Sequence, residues 1–309
     1  MRGAARQDLE WVRCPVCDAD RARTLFQKQG LTVVGCGNCQ VRYVNPRPTA
    51  ERLAALYQEE YFVAGSPDSS GAQHVQHGEM KLATARLRLR LLEGFCTKGR
   101  LVDVGCGGGF FVRTAGAAGW SAFGLEPSLR AARQAAHDQQ DRIVAGRLED
   151  APFAAGRFDV VTMLDVLEHV HSPRSFLQAA HRLLMPSGVL LIETPNMAGL
   201  LPRLLGARHP WVRVEHLTHF TPDSLGMLLE QTGFHVQALY RQAPKVLTLD
   251  YLLPLTRSTN PMFTALIRRM VGWWGWLRRH PFNVPMDVLI AVAQAREHGR
   301  ESTCASPLT

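Results

Sequence analysis

Residues 101–111, LVDVGCGGGFF, constrain the fold of this 309-residue chain more than any other stretch. A short apolar run ends in Gly105, Gly107 and Gly109 and passes straight into a helical pattern. A strand, a glycine turn and a helix in immediate succession form the opening unit of a parallel sheet covered by helices. Glycines there permit left-handed backbone and close approach of a ligand to the main chain. A dinucleotide turn, G-x-G-x-x-G, requires a third glycine where this chain has Phe110 in one register and Val112 in the other. The complete pattern is D-x-G-x-G-x-G, from Asp103 to Gly109. An acid beside the turn suits a cationic amine and suits a pyrophosphate poorly.

The next strand-like run ends in FGLEPS, where Glu126 can accept hydrogen bonds from both hydroxyls of a ribose. Asp103, the turn and Glu126 describe a ligand with an amino acid group and a ribose but no phosphate, and S-adenosylmethionine fits. From residue 100 onward, strands are expected at 100–105, 121–126, 142–146, 158–164, 188–194, 234–240 and 287–293, with helices at 109–118, 128–140, 173–185 and 222–232. This alternation is an α/β, Rossmann-like, seven-stranded and mostly parallel sheet. Residues 244–285 interrupt it before the last strand and read as an inserted helical segment.

Ahead of the sheet, Cys14/Cys17 and Cys36/Cys39 form two C-x2-C pairs eighteen residues apart, a spacing for a tetrahedral four-thiolate zinc site. So short a segment cannot bury a core of its own, so bound metal would supply its folding free energy. With all four positions filled by protein the site is structural, and the ribbon reads as scaffold or docking surface. Cys96 and Cys106 read as small packing residues, and Cys304 lies in a polar tail. Pro46 and Pro48 break the chain before a short helix from about Thr49, residues 66–73 read as a flexible link or lid, and a helix follows at about 77–95. Its apolar Met80, Leu82, Ala83, Leu87, Leu91 and Leu92 are interleaved with Arg86, Arg88 and Arg90, which spread around the helix and read as solvated rather than as a nucleic-acid groove. The expected division is a ribbon at 1–48, a helical linker or lid at 49–99, a main domain at 100–296 and a disordered tail at 297–309.

The formal charge of +8 points to an anionic contact or to a merely basic surface. No run approaches the ~20 apolar residues that span a bilayer, and the N-terminus lacks the apolar core of a secretory signal, which places the chain in the cytoplasm. Tryptophans 273, 274 and 276 beside Arg268, Arg269, Arg278 and Arg279 could give peripheral membrane contact through 261–282, cover an apolar substrate, or pack on the sheet edge or a second subunit.

From about 100 to 295 the chain resembles the class I S-adenosylmethionine-dependent methyltransferases with a ubiquinone-type domain, through VDVGCGGG, GLEPS, GRLEDAPF, the run from RFDVVTMLDVLEHV to LLIETPN, and EHLTHFTPDSLGMLLEQTGF. The N-terminal half is similar to the zinc-ribbon leader of a bacterial subgroup. The resemblance implies a sheet of order 3-2-1-4-5-7-6 with the last inserted strand antiparallel. It also implies that Gly105 and Gly107, with Asp103, Cys106 and Gly109 around them, meet the methionine part, that Glu126 and Pro127 meet the ribose, that Leu148 and Glu149 meet the adenine, and that Leu164 and Asp165 form the lower edge. Arg147 stands where many relatives have an aspartate, and Asp18 and Gln40 stand where glycines commonly follow the cysteine pairs.

Methyl transfer from a sulfonium is an in-line displacement, so a base is needed only where the acceptor must lose a proton. Glu168 and His169 follow the fourth strand at the carboxyl edge, and His169 is the first candidate base; the competing reading is that the pair fixes the loop. In the resembled family a similar segment is associated with a divalent metal, which would involve Asp165, Glu168 and His169. His216 and His219 are substrate candidates or helix caps, and Tyr57 and Tyr61 either close over the cofactor or form an apolar helix face. The expected function is methylation of an oxygen, nitrogen or carbon on a small-molecule, sugar or lipid-linked acceptor. The rivals are an RNA methyltransferase docked by its ribbon, against which no aromatic and basic RNA-reading cluster stands in the chain, and a non-catalytic binding module.

Overall fold

The computed structural model describes residues 8–28, 30–53, 71–137, 139, 141–213, 215–249, 251 and 280–296, without side chains for 71–77. Strands β1 (Leu9–Glu10), β2 (Ala22–Lys28), β3 (Leu31–Cys36), β4 (Arg42–Val44) and β5 (Arg47–Pro48) lead to helix α1 (Gly71–Leu92). Then come β6 (Arg100–Val104), α2 (Phe110–Ala117), β7 (Ser121–Glu126), α3 (Leu129–Ala136), β8 (Ile143–Ala145), β9 (Phe158–Leu164), α4 (Pro173–Leu183) and β10 (Leu184–Pro195). The chain continues through α5 (Leu200–Leu205), β11 (Thr218–His219), α6 (Pro222–Gln231), β12 (Phe234–Tyr240), β13 (Ala243–Leu247), β14 (Phe282–Met286) and β15 (Val288–Ala295).

Seven strands form one sheet in the order β12-β15-β10-β9-β6-β7-β8. From β10 to β8 neighbours run parallel, and β15 is antiparallel to both β10 and β12. In order along the chain this is the expected 3-2-1-4-5-7-6. Strands buried on both faces need near-continuous apolar runs, which FDVVTML and VLIAVAQA supply. Pro173 with Ser172 starts α4, and Pro222 with a Thr221–Ser224 capping box starts α6. Strand β10 begins four residues before the expected 188, with a bulge between Leu184 and Val189.

Helix α1 differs from its sequence reading in two ways. It begins at Gly71, inside the stretch expected to be a link. Arg88 is also not on a solvated face, for it is buried and ion-paired with Glu193 of β10. Residues 244–285 do insert before the last strand, and their ends pair as the antiparallel strands β13 and β14; the tryptophan-rich part lies outside the described residues.

The ribbon does not stand apart. Strands β2, β3 and β4 are joined by β11, so their sheet has the order β11-β4-β3-β2. Its buried Val16, Val34, Val41 and Tyr43 belong to the same apolar cluster as Leu167, Leu177, Phe220 and Leu225. The segment too short for its own core therefore shares that of the main sheet.

Candidate active site

The carboxyl ends of β6 and β7 build one half of the site. Asp103 is 4 % exposed and accepts a 2.6 Å hydrogen bond from the Thr162 hydroxyl. Burial pushes its carboxyl up to about 7, with Thr162 pulling the other way. The amides of Gly105 and Cys106 both bond the Leu125 carbonyl, folding the turn across β7. Gly105, Gly107 and Gly109 all have positive φ, at 72°, 52° and 71°. A Cβ on Gly105 would lie 2.6 Å from Val166, whereas one on Gly107 would meet nothing within 4 Å, so the backbone at Gly107 faces open space. Glu126 accepts from the amides of Gly107 and Ser128, each at 2.9 Å, one per carboxylate oxygen. Each oxygen keeps a lone pair for another donor. A buried acid, an open glycine backbone and a tethered carboxylate fit the amine, methionine chain and ribose of S-adenosylmethionine.

The other candidates for this half lie around it. The Cys106 side chain packs toward β7, since a Cβ on Gly124 would come within 2.7 Å of its sulfur. Pro127 is exposed, Leu148 is buried, and Glu149 is exposed and 3.6 Å from Arg147. Leu164 is half-buried at the end of β9, and Asp165 follows with φ of 56°. Lys245 of the insertion stem reaches Asp165 at 2.6 Å and Glu193 at 2.7 Å. The sequence carries no signal for Lys245, whose partners are 80 and 52 residues away in the chain.

The second half is a cluster of histidines, half-buried His169 with buried His216 and His219. His169 Nδ1 lies 3.0 Å from the Glu215 carbonyl, which can only accept, so this nitrogen donates. Its ring meets that of His216 edge-on with centroids 4.5 Å apart, and His219 follows at 6.3 Å. Burial holds His169 down at about 4 and His219 at about 3, and lowers His216 in the same way. Glu168 accepts from the Thr194 hydroxyl at 2.9 Å, and burial followed by the Asp165 charge pushes it up to about 8. His169 and Glu168 stand 4.0 Å apart, and with both neutral near pH 7 they are not an ion pair. Glu168, His169 and His216 offer three ligand atoms within 4.8 Å of one another. Asp165 is not among them. Tyr57 and Tyr61 lie outside the described residues.

The four ribbon cysteines converge as expected. Cys14 and Cys39 sulfurs are 3.5 Å apart and those of Cys17 and Cys36 3.6 Å, and all four belong to one cluster. Thiolates ~2.3 Å from a tetrahedral zinc ion lie about 3.8 Å from each other, so the set fits zinc. Asp18 and Gln40 adopt φ of 56° and 61°, the left-handed backbone that glycine adopts most readily.

The family model described as a methyltransferase domain matches residues 75–239. The ubiquinone biosynthesis O-methyltransferase of Pseudomonas aeruginosa (strain PAO1) is 31 % identical over 179 residues, covering 53 % of this chain and 76 % of the relative. The mitochondrial ubiquinone biosynthesis O-methyltransferase of Mus musculus is 28 % identical over 227 residues, 66 % of this chain and 53 % of its own length. Among solved structures, a chain from the complex between the Haloferax volcanii Trm112 methyltransferase activator and a methyltransferase superposes with a TM-score of 0.53 at 19 % identity, over 76 % of this chain and all of that one, a likeness of fold. With the glycine turn, the acid beside it and the strand order already in place, the chain belongs to the S-adenosylmethionine-dependent methyltransferase family.

Proposed function

We propose that this methyltransferase acts on a small-molecule, sugar or lipid-linked acceptor, with His169 taking the acceptor's proton. The observation that carries the reading is the orientation of His169: Nδ1–H is committed to the Glu215 carbonyl, so in the neutral ring Nε2 keeps the lone pair a base needs. The O-methyltransferases of ubiquinone biosynthesis among its relatives support a small-molecule acceptor. S-adenosylmethionine supplies, when bound, a methyl on a sulfonium open to in-line displacement. Asp103 would hold its ammonium, the backbone from Gly105 to Gly109 its methionine chain, Glu126 its ribose, and Leu148 with Glu149 its adenine. His216 and His219 would face the acceptor, and their burial keeps water from that side of His169. A radiolabelled-methyl assay against phenolic, sugar and lipid-linked panels tests this. With the acceptor so found, His169→Ala should lower kcat by roughly 10²- to 10⁴-fold at unchanged donor affinity, and unchanged turnover would discard His169 as the base.

A second reading of the cluster rests on its donor set. One carboxylate and two imidazoles suit a divalent cation, and Thr194 and the Glu215 carbonyl orient Glu168 and His169 as outer partners would. The acid that the family likeness would add, Asp165, is paired with Lys245 instead. Metal analysis separates the readings, since zinc in the ribbon alone gives about one ion per chain and a filled cluster gives more. The division into ribbon, helical lid, methyltransferase domain and tail stands within this proposal. No described helix is long and apolar enough to cross a membrane.

A further inference from the structure

We infer that the cysteine ribbon is the template for the acceptor side of the site: its metal-bound form holds His169, His216 and His219 in place, while the donor side forms without it. The inference rests on the reading of these histidines as acceptor-side groups.

The route runs through named bonds. Cys36 ends β3, and the turn from Cys36 to Cys39 is closed by the Gln40 amide on the Cys36 carbonyl and the Cys36 amide on the Val41 carbonyl. A metal held by these cysteines therefore fixes the turn that delivers β4. Strand β4 then pairs with β11, Tyr43 opposite Thr218 and Arg42 opposite His219, and the Val44 amide donates to the Leu217 carbonyl at 2.9 Å. Strand β11 is only two residues long, too short to persist unaided, and its buried backbone needs these partners. From β11 the Thr218 amide donates to the Glu168 carbonyl at 3.1 Å, and the Glu215 carbonyl accepts from His169 at 3.0 Å. The two loops that carry the histidines are thus tied to each other and, through β11, to the ribbon.

Two further ties reach the same place. Arg47, buried beside β1, donates to the His171 carbonyl at 2.6 Å and to Glu10 at 2.8 Å, and Glu10 also meets the His171 ring at 2.8 Å. Arg174 of α4 donates to the carbonyl of Val16, one of the two residues between Cys14 and Cys17, at 2.5 Å. By contrast, Asp103, Gly107 and Glu126 bond to Thr162, Ser128 and one another, within β6, β7, β9 and the turns that follow. The ribbon thereby acts on one half of the site.

The test compares the full chain loaded with zinc and stripped by chelator, using hydrogen exchange, histidine carbethoxylation and calorimetry with S-adenosylmethionine. Stripping should speed exchange at 215–220 and 166–171 by at least about tenfold, and should open His216 and His219, 7 % and 2 % exposed in the fold, to carbethoxylation. Donor affinity should stay the same. Unchanged exchange on stripping would overturn the inference, and so would loss of donor binding alongside it, since the ribbon would then support the whole domain. Arg47→Gln provides a check that leaves the cysteines intact: zinc content is kept and exchange rises at 169–172, and protection there equal to wild type would remove Arg47 from the template. These readouts do not involve turnover, so their failure is distinct from failure of His169 as the base.

Discussion

Gly107 and Asp103 carry the sharpest consequences of single residues. At φ of 52° with open space before it, an aspartate at Gly107 costs about 1–3 kcal/mol of backbone strain and sets a second carboxylate beside Glu126. Gly107→Asp should therefore abolish the heat of S-adenosylmethionine binding while the chain stays folded by circular dichroism. Asp103 titrates near 7 because it is buried, and an ammonium ligand prefers its ionised form. Donor affinity should fall about tenfold per pH unit below 7, and Asp103→Asn should flatten that profile; a flat wild-type profile would remove Asp103 from the ammonium site. The glycines and Glu126 were legible in the sequence because they meet one another and Ser128 across one turn and the strand that follows it, and Asp103 because it stands in the same motif. Thr162, which holds Asp103 from 59 residues away, was not.

Among the elements, α1 and the insertion stem are locked to the sheet by charge. Arg88 and Glu193 are 2 % exposed, Lys245 joins them, and Lys245 with Arg88 pulls Glu193 down to about 2 despite its burial. Removing Arg88 takes away the more deeply buried of the two cations on Glu193 and leaves Lys245, already shared with Asp165, to balance it alone. Arg88→Ala should lose about 3–5 kcal/mol in denaturant unfolding, and Arg88→Met with Glu193→Leu should recover much of it. A loss below about 1 kcal/mol, the usual value of an exposed pair, would contradict the burial. The helical periodicity of α1 was readable, but its arginines repeat around the helix. Only the position of β10 against it decides which one turns inward.

For the whole molecule, buried titratable groups set the pH range of stability. His169 and His209 near 4, His219 near 3 and His216, also lowered, stay neutral in the fold, whereas an unfolded histidine titrates near 6.5. Their contribution is complete above that value and lost as pH falls toward their folded values. Asp103 near 7 and Glu168 near 8 act in the opposite sense: stability falls as pH rises from the ordinary carboxylate value of about 4 to their raised values, and is level above them. Between about 4 and 6.5 the five lowered histidines, His171 included, outnumber the four raised carboxyls, Glu126 and Asp165 included, and above about 6.5 the carboxyls act alone. The melting temperature should therefore peak between about pH 6 and 7, and a steady rise from pH 5 to 8 would contradict these assignments. Metal analysis should find about one zinc per chain, lost in the Cys14→Ser, Cys36→Ser variant; full zinc there would refute the site.

What the sequence by itself determined is what depends on neighbours in the chain: strand and helix periods, the glycine turn, the carboxylates beside it and the two cysteine pairs. The order of the seven strands came with the family likeness those motifs carry, and the sheet bears it out. Tertiary structure alone decided that the ribbon sheet gains β11, that Arg88 is buried, and that Asp165 belongs to Lys245 while His216 belongs with Glu168 and His169. These contacts join segments tens to more than a hundred residues apart, and no local spacing encodes a distance that only the packed sheet brings down to a few ångströms.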